Sequence, residues 1–224
     1  MFVATRPYAE AAGIDDPVVC YQGAVVAEPV SGRFLRHEPI PVALGRETVA
    51  ALVDEGFHVN CYVDDRLYVA QVTNEARAYA DFQGLEIHGV GDLVAWLDAP
   101  PTKIVAVGDP EALDGLERRM KERFEDRLYI SKSLPYFLEF ASPEVTKASG
   151  LAFLAEHMGF TREWVVAFGD GENDVELLEW AGYAVAVANA HERVLRIADF
   201  VCPSVDDEGV AQVLEAFLGL DSRA

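Results

Sequence analysis

The pattern of apolar and polar residues is most regular between Trp164 and Ala190, where it predicts two strands around a helix. Residues Trp164–Phe168 form an uninterrupted apolar run, which is typical of a strand buried on both faces. Apolar residues then recur at helical spacing from Val175 to Ala181, and Tyr183–Val187 forms a second apolar run. Strand, helix and strand in this order predict the βαβ crossover of a parallel sheet.

The stretch from about Val25 to Ser142 has a different rhythm, with hairpin signals between short apolar runs. Ser31-Gly32 separates two such runs, and Asp64-Asp65-Arg66 separates two more, as in β-hairpins. Lys103–Val107 predicts a strand, and Pro110–Phe124 predicts a helix that begins at its proline. The whole stretch predicts an α+β module with an antiparallel sheet and helices on one face.

The first residues predict further pieces of strand. Met1–Thr5 indicates the end of a strand, Glu10–Ala12 a short helix, and Val18–Tyr21 a second short strand. These elements precede the α+β module, whereas the βαβ pattern follows it.

Acidic residues follow the strand predicted at Trp164–Phe168. Asp170 stands at its carboxyl end, where open α/β sheets bind ligands, and Asp174 follows about one helical turn later. Two carboxylates facing the same point repel unless a cation lies between them, and hard oxygen ligands suit Mg²⁺. The alternative is an ordinary solvated turn, in which Gly, Asp and Asn are common. The acids alone leave both interpretations open.

Composition narrows the classes of partner. The 224 residues carry a formal net charge of −20, which argues against nucleic acid and anionic membranes as partners. A phosphorylated substrate would therefore need local positive charge. Cys20, Cys61 and Cys202 lie far apart in apolar runs, as expected of buried thiols in a reducing cytosol. We find no secretory signal and no apolar run long enough to span a bilayer, and we expect a cytoplasmic protein.

The segment GDGENDVELLEWAGYAVAVANAHERVLRIADFV, which runs from Gly169 to Val201, resembles the fourth motif and following segment of Cof-type phosphatases. These proteins are a branch of the haloacid dehalogenase (HAD) superfamily. The resemblance implies that Mg²⁺ binds Asp170, with Asp174 as a second ligand or as support for the first. It also implies a contact from Asn173 to the substrate phosphate.

Two other segments resemble the same family. Lys147 stands just before a helix carrying GLAFLAEHMG, as in the third motif, which implies that it neutralises the nucleophile and holds the phosphate. A solvated lysine is the alternative, since a cation is mildly unfavourable at the start of a helix. The segment ATRPY resembles the second motif, ATGRPY, without its glycine. The match implies that Thr5 contacts the transferring phosphoryl group and that Arg6 assists, whereas Thr5 alone would be an ordinary strand residue.

The resemblance covers nearly the whole chain. It implies a Rossmann-like α/β core made of residues 1–26 and 143–224, with an α+β cap domain at residues 27–142. The implied activity is Mg²⁺-dependent hydrolysis of a phosphate monoester, on a sugar phosphate or a similar small metabolite. In the family, one aspartate attacks phosphorus and a second, two residues later, acts as general acid and base.

That pair of aspartates is absent, because no Asp-x-Asp triplet occurs in the chain. In the family it lies on the first core strand, upstream of the ATGRP segment. One hypothesis is an enzyme that lacks this strand and is inactive as given. The other is a non-catalytic relative that binds a phosphorylated ligand or a partner protein. Retention of Lys147, Asp170, Asn173 and Asp174 favours the first hypothesis.

Overall fold

The computed structural model describes residues 1–219, apart from the side chain of Glu75. It contains two compact units, Met1–Gly150 and a second unit that starts at Leu151. The predicted division into a core and a cap, with boundaries at 26/27 and 142/143, stays a prediction. Among residues 1–219, no helix combines the length and the apolar character that crossing a membrane requires.

The first unit contains most of the regular structure. Its helices are α1 (Phe2–Ala11), α2 (Val42–Asp54), α3 (Asn74–Gln83), α4 (Leu93–Trp96), α5 (Pro110–Phe124) and the start of α6 (Lys147–Met158). Its strands are β1 (Val18–Cys20), β2 (Val25–Ala27), β3 (Phe34–His37), β4 (His58–Val63), β5 (Arg66–Val69), β6 (Ile87–Gly89), β7 (Lys103–Val107), β8 (Tyr129–Leu134) and β9 (Phe137–Ala141). Short 3₁₀ turns occupy Tyr21–Gly23 and Glu125–Arg127.

A six-stranded sheet organises the first unit, with the strand order β6-β5-β4-β7-β9-β8. All its neighbouring strands are antiparallel except β5 and β6. One face packs against α2, α4 and α5, and the other against α1 and α3. The prediction of helices on one face is therefore wrong. Successive residues of a strand point to opposite faces of the sheet, and Ile104 and Val105 of β7 are both fully buried, so each face has to be covered.

Two predicted elements of this unit are confirmed. Helix α5 has the predicted bounds, and its start is fixed by Pro110 in the first turn and by Asp109, whose carboxylate accepts the N–H of Glu111 at 3.0 Å. The hairpin between β4 and β5 turns at Asp64 and Asp65, with φ of 49° and 60°. Two successive positive φ angles are those of a type I′ turn, which matches the twist of the paired strands.

The predicted strand end at Met1–Thr5 is wrong, because Phe2–Thr5 belong to helix α1 and Met1 is the residue just before it. The helix starts where the N–H groups of Phe2 and Val3 donate to the two carboxylate oxygens of Asp65, at 3.1 and 2.7 Å. Phe2 is buried in the cluster on that face of the six-stranded sheet. A cap supplied from 62 residues away thus decides the conformation of this segment.

A smaller sheet with the strand order β1-β2-β3 completes the first unit. Strands β2 and β3 pair antiparallel on either side of Ser31-Gly32, which confirms the first predicted hairpin. Strands β1 and β2 are joined by the Tyr21–Gly23 turn. Val25, Val26 and Ala27 are fully buried, so β2 lies in the core of this unit.

The second unit is a parallel α/β layer. Its strands are β10 (Val166–Gly169), β11 (Tyr183–Val187) and β12 (Phe200–Cys202), and its helices are α7 (Val175–Trp180), α8 (Glu192–Ile197) and α9 (Gly209–Leu218). Further 3₁₀ turns occupy Arg162–Trp164, Glu172–Asp174 and Val205–Asp207. Strand β11 pairs in parallel with both neighbours. Residues of α7 and α8 pack in one cluster and residues of α9 in another, as in a Rossmann-like fold.

Candidate active site

The acidic loop is Gly169–Asp174, and it leaves the carboxyl end of β10 as predicted. Because β10 and β11 are parallel, the residues that follow each strand meet at the same edge of the sheet. Asp170 and Glu172 are exposed there, Asn173 is half-buried, and Asp174 is buried. The loop therefore exposes the carboxylate of Asp170 directly after the strand and buries that of Asp174.

Asp174 holds the loop in shape. One of its carboxylate oxygens accepts the N–H groups of Asp170 and Gly171, at 3.0 and 3.1 Å, and its own N–H donates to the Gly171 carbonyl. Gly169 makes room for this side chain, because a Cβ atom at residue 169 would lie 2.6 Å from the Asp174 Cβ. The charge of Asp174 is thus stabilised by backbone dipoles.

The loop is also tied to the segment that follows β11. The N–H of His191 donates to the carbonyl oxygen of Asp170 at 2.8 Å, and the imidazole Nε2 lies 3.7 Å from a carboxylate oxygen of Glu172. Sequence reasoning did not single out His191. The available signal was its position just after the second apolar run, since the loops after adjacent parallel strands meet.

Lys147 is the first residue of α6 and is half-buried in the first unit. The hydroxyl of Thr146 accepts the N–H of Ser149 at 3.1 Å, while the hydroxyl of Ser149 accepts the N–H of Thr146 at the same distance. These reciprocal bonds satisfy donors that a helix start leaves unpaired. The predicted position of Lys147 at the start of a helix is therefore confirmed, and that helix start is capped.

Thr5 and Arg6 lie on helix α1 of the first unit. The Thr5 hydroxyl donates to the carbonyl oxygen of Met1 at 2.8 Å, one turn earlier in the same helix. The Arg6 guanidinium pairs with Glu10 at 2.8 Å and donates to the carbonyl oxygen of Val30. Both polar groups are engaged in contacts within this unit, and their role toward a phosphate stays a prediction.

Comparison with known proteins decides the family. The family model for haloacid dehalogenase-like hydrolases matches residues 1–214. The chain belongs to that family. A haloacid dehalogenase-like hydrolase from Bacteroides thetaiotaomicron is 25% identical, with a TM-score of 0.84 over 96% of this chain and 82% of the other. A protein from Thermotoga maritima is 32% identical, with a TM-score of 0.80 over 96% and 81%. The resemblance to this superfamily and its α/β fold is thereby confirmed.

Curated relatives match over shorter stretches. A Haemophilus influenzae protein, whose name classes it among phosphatases without a stated substrate, is 32% identical over 70% of this chain and 59% of its own length. The phosphoglycolate phosphatase of Methanothermobacter thermautotrophicus is 43% identical over 38% of each chain. The chain thus spans between about two fifths and three fifths of the length of these relatives.

The metal that this family implies can be tested against the donors of the acidic loop. The side chains of Asp170 and Asp174 offer hard oxygen atoms, the type that Mg²⁺ prefers, and Mg²⁺ often takes only one or two protein carboxylates. Residues 1–219 contain no group of three or more His, Cys, Asp or Glu side chains placed to hold a metal. The donors fit part of a Mg²⁺ shell, with the remainder left to water, substrate or further carboxylates.

Proposed function

We propose that this hydrolase-family chain provides the phosphate-binding and metal-binding parts of a Mg²⁺-dependent phosphatase for sugar phosphates or similar small metabolites. The observation that carries the proposal is the acidic loop at the end of β10, in which a buried Asp174 organises the backbone around an exposed Asp170. The phosphatase names of the curated relatives support the reaction class.

The residues would divide the work as follows. Asp170 would hold Mg²⁺, and Asp174 would support it by fixing the loop or by lending its second oxygen. Asn173 would donate its amide to a phosphate oxygen, and Lys147 would neutralise phosphate charge. When bound, Mg²⁺ would supply positive charge that stabilises the transferring phosphoryl group. We expect a cytoplasmic protein whose partner is the small phosphorylated substrate.

The metal assignment is tested by Asp170→Asn in a form of the protein that also carries an Asp-x-Asp segment. We expect loss of Mg²⁺-dependent phosphatase activity with an unchanged circular dichroism spectrum, because the amide keeps the shape and removes the charge. Glu179→Gln is the matched control, since Glu179 is an exposed carboxylate on α7 rather than in the loop. Activity that survives both Asp170→Asn and EDTA would refute the assignment.

The 224 residues by themselves are proposed to be catalytically inert, because they contain no Asp-x-Asp triplet. We expect no hydrolysis of p-nitrophenyl phosphate with Mg²⁺, and turnover once an Asp-x-Asp segment is supplied. Mg²⁺-dependent hydrolysis by the 224 residues would show that another side chain serves as nucleophile.

The same absence favours one alternative, a non-catalytic module that binds a phosphorylated ligand or a partner protein. This alternative predicts phosphate binding that depends on Lys147 without any turnover, even after the Asp-x-Asp segment is added. Turnover in that form would exclude it.

A further inference from the structure

The turn between β1 and β2 has an unusual backbone. Tyr21, Gln22 and Gly23 follow one another with φ of 53°, 57° and 105°. Positive φ is uncommon for residues other than glycine and costs about 1–2 kcal/mol for each such residue. Strained conformations of this kind persist only where the surrounding structure fixes them, and they concentrate at functional sites.

On one side, the turn is anchored by hydrogen bonds to the six-stranded sheet. The hydroxyl of Tyr21 donates to a carboxylate oxygen of Asp65 at 2.6 Å. The amide of Gln22 donates to a carboxylate oxygen of Glu139 at 3.1 Å, and Glu139 is itself paired with Lys103 at 3.0 Å. Tyr21 and Glu139 are buried, whereas Asp65 and Gln22 are half-buried. The sheet therefore holds the turn through contacts that are partly shielded from solvent.

On the other side, the backbone of the turn closely approaches the backbone at the start of α6. A Cβ atom at Gly23 would lie 2.0 Å from the carbonyl oxygen of Thr146. A Cβ atom at Gly150 would lie 2.6 Å from the Cα atom of Gly23 and 2.6 Å from a methyl group of Val19. Two glycines thus let the turn and the first helical turn of α6 meet without a side chain between them.

We infer that the Tyr21–Gly23 turn is a positioning element for Lys147, the first residue of α6. A contact between two backbones contains no flexible side chain that could absorb a shift, so a displacement of the turn passes to the helix start. The strain in the turn is explained by this role, because a relaxed backbone would not present Gly23 to Thr146. The inference rests on the proposed function of Lys147 as a phosphate-binding residue.

The test is Gly150→Ala in the 224-residue protein, since its new methyl group would meet the backbone of Gly23 and a methyl group of Val19. The matched control is Gly115→Ala within α5, where a Cβ atom would meet only the end of the flexible Arg119 side chain. With inorganic phosphate and Mg²⁺ as the probe, we expect the dissociation constant to rise about tenfold in the first variant and to stay unchanged in the second.

A direct readout of position is the nuclear magnetic resonance signal of Lys147 in protein labelled at lysine Cε and assigned with Lys147→Arg. We expect this signal to shift in Gly150→Ala and to stay unchanged in Gly115→Ala, whether or not phosphate is present. Gln22→Asn provides a second variant if Gly150→Ala does not fold. Asparagine tolerates positive φ but is too short to reach Glu139, so the same signal should shift.

The outcomes separate this inference from the proposed function. An unmoved Lys147 signal in folded Gly150→Ala, or in Gln22→Asn where the first variant does not fold, would overturn the positioning role. The positioning role would also be overturned if the phosphate affinity of the folded variant were unchanged while Lys147→Ala weakened phosphate binding. If Lys147→Ala itself leaves phosphate affinity unchanged, the proposed phosphate site is wrong. The positioning of Lys147 is then still tested by the Lys147 signal in Gly150→Ala or Gln22→Asn.

Discussion

The buried ion pair between Lys103 and Glu139 offers the sharpest test of what stabilises the first unit. The Lys103 Nζ lies 3.0 Å from a carboxylate oxygen of Glu139, and each side chain is only 8% exposed. Ser133 donates to the same oxygen at 2.6 Å, and Gln22 donates to the other at 3.1 Å. Both oxygens of the Glu139 carboxylate are therefore hydrogen-bonded, and removal of the charge on either Lys103 or Glu139 leaves the other charge buried without its partner.

The expected magnitude follows from this geometry. At 3.0 Å the attraction is about 5.5 kcal/mol with an effective dielectric constant of about 20, and the desolvation of both charges offsets much of it. Removing one partner of a buried pair costs about 3–5 kcal/mol, because the other charge loses its compensation. We expect Lys103→Met to lower the free energy of unfolding of the first unit by that amount at pH 7. The double variant Lys103→Met/Glu139→Leu should recover most of the loss.

The assay is urea unfolding followed by the fluorescence of Trp96, which packs against the core of the first unit. Trp164 and Trp180 belong to the second unit and would be replaced by Phe. Lys121→Met is the control, because Lys121, which pairs with Glu117, is 54% exposed and the pair should contribute at most about 1 kcal/mol.

Two results would refute the reasoning. One is a loss below about 1 kcal/mol in Lys103→Met, which would mean that solvent reaches the pair. The other is a double variant as unstable as Lys103→Met, which would mean that shape and not charge explains the loss.

Three further predictions concern Glu139, Gly169 and residues 25–142. Burial by itself would raise the pKa of Glu139. The charge of Lys103 and the hydrogen bonds to the carboxylate lower this pKa by more than burial raises it, so it lies below its usual value. The stability that the Glu139 carboxylate contributes is present above about pH 4.3, its pKa in the unfolded chain, and is lost as pH falls through its pKa in the folded protein. The urea midpoint should show this decline in the parent protein and not in Glu139→Gln. Gly169→Ala should weaken Mg²⁺ affinity about tenfold, because its methyl group would displace Asp174, and an unchanged affinity in a Mg²⁺ titration would contradict this. Exchange of residues 25–142 for those of a related phosphatase, in a form with the Asp-x-Asp segment, should change which sugar phosphates are hydrolysed, since the roles proposed for Lys147 and the acidic loop concern only phosphate and metal.

The parts of the fold that sequence could predict are those whose signal is local and repeated. Strand β11 has the predicted bounds, whereas β10 starts two residues later and ends one residue later than predicted. The first residue of the predicted strand, Trp164, lies in a 3₁₀ turn and is 86% exposed. Helix α5 begins and ends as predicted, since its proline, its capping aspartate and its apolar face all agree. Agreement among several local preferences makes such elements predictable.

The prediction of a strand end at Met1–Thr5 is wrong because a contact distant in sequence overrides the local preference. Phe2 and Val3 resemble strand residues by propensity, but propensity is a weak preference that tertiary contacts override. The deciding contact is the carboxylate of Asp65, which accepts both N–H groups at the start of α1. A hydrogen bond between residues 62 or 63 apart leaves no trace in the local pattern of either segment.

The acidic loop shows how far spacing alone carries a functional argument. Asp170 and Asp174 suggested a cation because two neighbouring carboxylates repel, and that premise holds only where nothing else compensates the charges. In the structure, two backbone N–H groups already compensate one oxygen of Asp174. The electrostatic need for a cation therefore falls mainly on the exposed Asp170. For this reason the proposed Mg²⁺ site is best challenged at Asp170, whereas changes at Asp174 would disturb the loop and the ligand together.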